Sequence, residues 1–315
     1  MASNTAKCCV IGGAGFIGEY VTRLLAASGR EVVVLGRRAK PDRALPPGVD
    51  YVSGDYADRA VLQGVLAGTS EVIDLAYATV PQTSFADPVF DIVSNMPASV
   101  GLLQEAVAAR VRKVVLVSSG GTVYGVAESL PIREDHRSDP ISPYGITKLA
   151  VEKYAWMFRH VAGLPVVVVR PGNAYGEGQR ALSGQGFVAT AVNLIIRGRE
   201  IELFGAEGTV RDYIHVADIA SGIMAALEYG APGSAYNIGS GTGRSNLDVL
   251  KMLQPLANRS GFRVRTRILP ARSFDVPANV LDSRKLEMVS GWRPKVAFDD
   301  GIGSVWDAAL AGDGR

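Results

Sequence analysis

The stretch IGGAGFIGEYVTRLL, residues 11–25, follows the apolar run Cys8-Cys9-Val10 and leads into a segment of helical period. Gly13-Ala14-Gly15-Phe16-Ile17-Gly18 satisfies G-x-G-x-x-G, and Gly12, Gly15 and Gly18 are also spaced as G-x-x-G-x-x-G. Glycines at a strand-to-helix junction permit a tight turn, close backbone approach to a pyrophosphate and close helix–strand packing. The helix start adds amide donors and a positive end. A purely structural turn is the competing reading, but this position in an alternating chain points to dinucleotide binding. Phe16 and Ile17 fall with these glycines at the cofactor.

The alternation continues outward from that turn. CCVIGG, EVVVLG, YVSGD, EVIDLA, KVVLVSS and PVVVVRP are runs of strand length separated by stretches such as IGEYVTRLLAASG and NMPASVGLLQEAVAARV. Nearly continuous Val, Ile and Leu mean strands buried on both faces, the habit of a parallel sheet covered by helices. The expected class is α/β, a doubly wound parallel sheet. After Arg170-Pro171 the loops lengthen and strands become isolated, as in EIELFG, which predicts a smaller second lobe. Residues 1–170 are read as the dinucleotide-binding domain, receiving 214–240 as well, and 171–315 mainly as the substrate lobe.

With 315 residues, 47% of them hydrophobic, the chain is long enough for a sizeable core. Its 33 Lys and Arg against 31 Asp and Glu leave a net charge of +2 without a long basic run, which argues against a nucleic-acid partner. No apolar run approaches the ~18 residues of a membrane span. The two cysteines, Cys8 and Cys9, are adjacent in a strand and should face opposite ways, as suits a reduced, soluble, cytoplasmic protein rather than a disulfide framework.

About 20 residues past the glycine loop an acid normally holds the adenosine ribose. Here Leu35-Gly36-Arg37-Arg38 stands instead, so Arg37 could meet a 2'-phosphate and both NAD and NADP remain open. Asp55, with Tyr56 beside it, is placed to hold the adenine edge, and Leu75 and Ala76 end the next apolar run.

Ser142-Pro143-Tyr144-Gly145-Ile146-Thr147-Lys148 reads as a helix start, with Ser142 as N-cap and Pro143 in the first helical position. Tyr144 and Lys148, four apart, share a face. The nearby ammonium and the positive helix end both favour a phenolate, so Tyr144 is expected to act as a general base near neutral pH.

Together these motifs resemble the extended short-chain dehydrogenase/reductase family, and within it the nucleotide-sugar 4-epimerases and dehydratases similar to UDP-glucose 4-epimerase. Further matching segments are Val123-Tyr124-Gly125, Arg170 to Gln179, Val210 to Asp218, Tyr236-Asn237-Ile238-Gly239 and Gly291-Trp292-Arg293-Pro294, so the resemblance covers nearly the whole chain. It implies a Rossmann-type sheet with a smaller C-terminal substrate-binding lobe and an NAD-dependent enzyme acting on a UDP-hexose, N-acetylhexosamine or uronate. In such an enzyme Tyr144 takes the proton of the sugar 4-hydroxyl, Lys148 holds the nicotinamide ribose, and a transient 4-keto sugar is reduced on its other face. Asn173, Arg211 and Arg272 match the family's diphosphate contacts, Asp275 its nucleoside-ribose acid, and Asn95 an asparagine that supports the active-site helix.

The departures are informative. The family's usual catalytic Ser or Thr falls on Gly120. If the strand stays regular, residues 118, 120 and 122 share a face, making Thr122 the substitute and Ser119 the second choice. A 4,6-dehydratase needs an Asp-Glu pair where this chain has Gly121 and Thr122. Tyr77 and Thr79 are expected near nicotinamide and sugar, and Asn279, where a Tyr often limits the pocket, predicts room for an N-acetyl or carboxylate group. The alternatives are an NADP(H)-dependent reductase or a dehydratase and, more remotely, an inactive cofactor-binding regulatory protein. The helices beginning near Asn95 and Pro143 resemble the family's dimer interface, so a homodimer is expected.

Overall fold

A computed structural model describes residues 6–181, 186–272 and 275–313. The first half alternates strands β1 (Lys7–Ile11), β2 (Glu31–Gly36), β3 (Val49–Ser53), β4 (Glu71–Asp74), β5 (Lys113–Val117) and β6 (Val166–Pro171) with helices. These helices are α1 (Phe16–Ala27), α2 (Arg59–Leu66), α3 (Pro81–Ala86), α4 (Pro88–Ala108) and α5 (Pro143–Ala162). The second half contains β7 (Asn173–Tyr175), α6 (Phe187–Ile196), β8 (Ile201–Phe204), β9 (Val210–His215), α7 (Val216–Tyr229), β10 (Ala235–Ile238) and β11 (Gly243–Ser245). It continues with α8 (Asn246–Arg259), β12 (Thr266–Leu269), β13 (Ala278–Asn279), α9 (Arg284–Ser290) and α10 (Phe298–Asp313).

The main sheet is seven-stranded and parallel, in the order β10-β6-β5-β4-β1-β2-β3. Its last strand comes from residues 235–238, delivered by α7, so the chain returns to this sheet after an excursion. Alternation along β1 sends Cys8 and Val10 to the side covered by α1 and α7, with Val21, Leu25 and Ile219. Cys9 and Ile11 point to the other side, against Leu62, Leu102 and Val151. The cysteines therefore do face opposite ways, both buried and free.

Strand order reverses between β1 and β4, and their carboxyl ends bound the crevice where ligands of such sheets bind. Beyond it, β7, β9, β11 and β13 form a small sheet, β8 pairs with β12, and α6, α8 and α10 enclose a second core around Trp306, Leu253 and Val192. The buried Asp212 carboxylate ties β9 to the loop after β10 and to the tail, accepting from the amides of Ser240, Gly241 and Leu281. Among the described residues no helix is long and apolar enough to cross a membrane.

Candidate active site

A cavity of about 630 Å³ opens at the carboxyl ends of β1, β4, β5 and β6 and extends to β7, α6 and β9. Gly12, Gly15, Phe16, Ile17 and Gly18 line one end, with Leu75. Gly12 has φ +78°, and a Cβ on Gly18 would lie 2.2 Å from the Gly12 carbonyl oxygen, so the turn closes backbone on backbone. Helix α1 starts at Gly15 without a side-chain cap, leaving its first amides to face the cavity. That cradle fits a dinucleotide pyrophosphate. Arg37 and Asp55 sit exposed at the ends of β2 and β3, and Asp55 accepts from the Ala57 amide. Neither they nor the buried Tyr56 nor Ala76 lines the cavity.

Helix α5 starts as its sequence dictates. Ser142 accepts from the Gly145 amide at 3.1 Å and Pro143 takes the first position. Tyr144 and Lys148 are then both buried and both line the cavity. Lys148 Nζ donates to the Val117 carbonyl at 2.9 Å and lies 3.9 Å from the centre of the Tyr77 ring. Burial, with Asp91 adding to it, pushes the Tyr144 hydroxyl above its usual range, so the expected lowering by Lys148 does not hold. Desolvation outweighs a cation whose Nζ sits 5.9 Å from the ring centre. Burial also pulls the Lys148 ammonium down to about 8, against the attraction of Asp74, Glu152 and Asp91.

The floor differs from the expectation. Strand β5 stops at Val117, and residues 120–124 form a turn in which the Val123 amide bonds the Ser119 carbonyl. Strict alternation therefore does not apply. Ser118, Ser119 and Thr122 all line the cavity, whereas Gly120 points away from it: a Cβ there would meet Leu281 Cδ1 at 2.5 Å and the Arg170 carbonyl at 2.8 Å. Thr122 Oγ1 and Ser118 Oγ are buried without a hydrogen-bond partner. Asn279 does not reach the cavity either. It is fully buried and its Nδ2 donates to the Gly120 carbonyl at 2.9 Å, which removes the basis for reading sugar size from it.

The far end gathers the remaining residues. Asn173, Arg211, Arg272 and Asp275 all line the same cavity. Arg211 Nη1 is anchored on the Val210 and Val276 carbonyls at 2.8 and 2.7 Å. Arg272 pairs with Asp275 at 2.8 Å and lies over the Phe204 ring. Thr79 lines the cavity, but its hydroxyl is engaged by Asp91 and by Asn95 Nδ2 at 3.1 Å. Asn95 Oδ1 accepts from the Ala78 amide at 2.7 Å, so this asparagine holds the segment after β4 against α4.

Three features went unread in the sequence. Asp74 ends β4 buried, its carboxyl pushed up to about 6 by burial, with Lys148 and the Ala76 amide acting in the opposite direction. Asp91 lies four residues before Asn95 on one helix face, a spacing that could have revealed it. Glu152, one turn beyond Lys148, forms a buried two-point ion pair with Arg170 at 2.6 and 3.0 Å. Arg170 in turn holds the Tyr124 hydroxyl, which donates to Asn237. The floor turn is thus fastened from behind.

Residues 8–239 match the NAD dependent epimerase/dehydratase family. The UDP-glucose 4-epimerase of Mycolicibacterium smegmatis is 34% identical over 93% of this chain and 95% of its own length. Among solved structures, the UDP-glucose 4-epimerase of Thermotoga maritima with UDP-glucose superposes with TM-score 0.91 at 30% identity, covering 97% of this chain and 99% of that one. The Thermus thermophilus UDP-glucose 4-epimerase complex with NAD gives 0.86 at 33%, covering 96% and 98%. With the glycine cradle and the Tyr144–Lys148 pair in one cavity, the chain belongs to the NAD dependent epimerase/dehydratase family, as an NAD-dependent enzyme of the short-chain dehydrogenase/reductase type.

Proposed function

We propose that the protein catalyses 4-epimerisation of a UDP-sugar through a transient 4-keto sugar. The observation that carries this reading is one cavity lined by Tyr144, Lys148, Ser119 and Thr122 at its floor and by Asn173, Arg211 and Arg272 at its far end. Bound NAD supplies the hydride acceptor and donor. Tyr144 takes the 4-hydroxyl proton and returns it, while the Lys148 ammonium holds the nicotinamide ribose and stabilises the phenolate. Thr122 and Ser119 offer hydroxyls to the sugar O4. The arginines and Asn173 grip the diphosphate, so the sugar can turn while its handle stays fixed. Dehydration is disfavoured because Gly121 and Thr122 cannot exchange protons as an acid pair would.

The protein also acts as a homodimer in this reading. Val89, Phe90, Ile92 and Val93 of α4 and Ile146, Met157 and Val161 of α5 are exposed apolar side chains on two helices packed together, a surface suited to a twofold partner. Light scattering at micromolar concentration checks it, and a monomer overturns it.

To test the reaction, purified protein is incubated without added cofactor with UDP-glucose, UDP-N-acetylglucosamine and UDP-glucuronate. A 4-epimer is expected with no net change in nicotinamide absorbance, and Tyr144→Phe should lower turnover by about 10²–10⁴-fold. Turnover that appears only when NADPH is supplied and consumes it stoichiometrically, or a fully active Tyr144→Phe, contradicts the proposal.

A further inference from the structure

Tyr77 lies between the end of β4 and α3, beside both members of the catalytic pair. Its ring is 3.9 Å from Lys148 Nζ and packs in a T-shape on the Tyr144 ring, centroids 4.9 Å apart. The acids that act on Lys148 come from three elements, Asp74 on β4, Asp91 on α4 and Glu152 on α5. Each has another partner: Asp74 the Ala76 amide, Asp91 the Thr79 hydroxyl, Glu152 the Arg170 guanidinium. Among the described residues the ammonium donates to one carbonyl, that of Val117, and lies over the face of Tyr77, nearer than the 5.9 Å that separates it from the Tyr144 ring centre. An aromatic face attracts a cation most strongly where water is excluded, as around this buried side chain.

We propose that Tyr77 is a positioning residue of the catalytic pair, its ring carrying the Lys148 ammonium while packing against the Tyr144 ring, so that both are oriented before any ligand arrives. The idea rests on Tyr144 and Lys148 being the working pair. It assigns the contribution to the ring of Tyr77 and not to its hydroxyl.

The test reads Lys148 directly in the resting protein, by NMR titration of lysine labelled with ¹³C at Cε, the signal assigned with Lys148→Arg. Tyr77→Phe should titrate as the parent does. Tyr77→Leu should titrate about one pH unit lower. Tyr77→Met, longer and more adaptable than Leu and also ringless, repeats the result should the Leu variant fold poorly. The alkaline limb of kcat should move down by the same amount in the ringless variants. An unmoved Lys148 titration in them, an equal shift in Tyr77→Phe, or a uniform fall in kcat with an unmoved limb overturns the proposal. Because the titration needs no substrate, it is decided independently of the sugar chemistry: a parent protein that epimerises nothing would defeat the proposed function while leaving the Lys148 result to stand or fall alone.

Discussion

Two glycine turns face the same cavity, one after β1 and one after β5, and they use glycine for different reasons. In the first, Gly12, Gly15 and Gly18 bring main chain against main chain, with a Cβ on Gly18 only 2.2 Å from the Gly12 carbonyl. The second sets one glycine against the protein interior and one beside the ligand: Gly120 is wedged between Leu281 and the Arg170 carbonyl, whereas a Cβ on Gly121 would meet only Asn173 Oδ1 at 3.3 Å and Ser119 Oγ at 3.9 Å. The first turn makes its site from backbone amides. In the second, the site is made by the side chains around the glycines, Ser119 and Thr122. A glycine motif announces a backbone site reliably, but it says little about which neighbouring side chains face a ligand.

Substitutions sharpen the contrast. Gly18→Ala should do the most damage, because backbone must move to accept it. Loss of NAD binding and destabilisation by about 3 kcal/mol or more are expected, measured by titration with NAD and by urea unfolding. NAD binding at the parent level would remove the backbone-contact argument. Gly120→Ser comes next. Although it restores the residue type usual in the resembled family, its side chain runs into Leu281, so a cost of about 1–3 kcal/mol with no gain in turnover is expected. A faster enzyme would mean that the position faces the sugar after all.

Smaller effects are expected at the hydroxyls. Thr122 Oγ1 has no protein partner to lose, so Thr122→Ala should leave the melting temperature close to the parent's while reducing kcat by about tenfold, the worth of one good hydrogen bond. Ser119→Ala should do less, and the reverse ranking would reassign the floor. A separate signal is expected in stability against pH. The folded chain holds Lys148 down to about 8 against an ordinary 10.5. Between those values the unfolded state binds more protons, so cofactor-free protein should gain stability as pH rises from 8 to 10.5. Lys148→Met should lack that increment, and identical profiles would contradict the burial argument.

The fold was largely legible because its signals are local. Continuous apolar runs marked β1, β2, β5 and β6, Ser142-Pro143 marked the start of α5, and alternation correctly split Cys8 from Cys9. What was missed depends on tertiary structure. The alternation argument assumed that β5 continues, but its ladder with β6 ends at Val117 opposite Val169. Asn279 pairs in register with Arg211, which does line the cavity, yet its own side chain turns inward to Gly120. Spacing alone brought Lys148 near Tyr144 and predicted a lowered phenol, whereas the burial that reverses the sign comes from segments distant in sequence. Tyr77 was expected near the nicotinamide and sugar but resisted assignment, since its two ring partners lie on another element.

The central claim is that one hydride leaves C4 of the sugar and comes back to it. It is tested most directly by supplying UDP-glucose, UDP-N-acetylglucosamine and UDP-glucuronate deuterated at C4 and following the products by NMR and mass spectrometry. The account predicts a 4-epimer that keeps its deuterium at C4. Deuterium at C6, deuterium in free nicotinamide, or no 4-epimer from any of the three would contradict it.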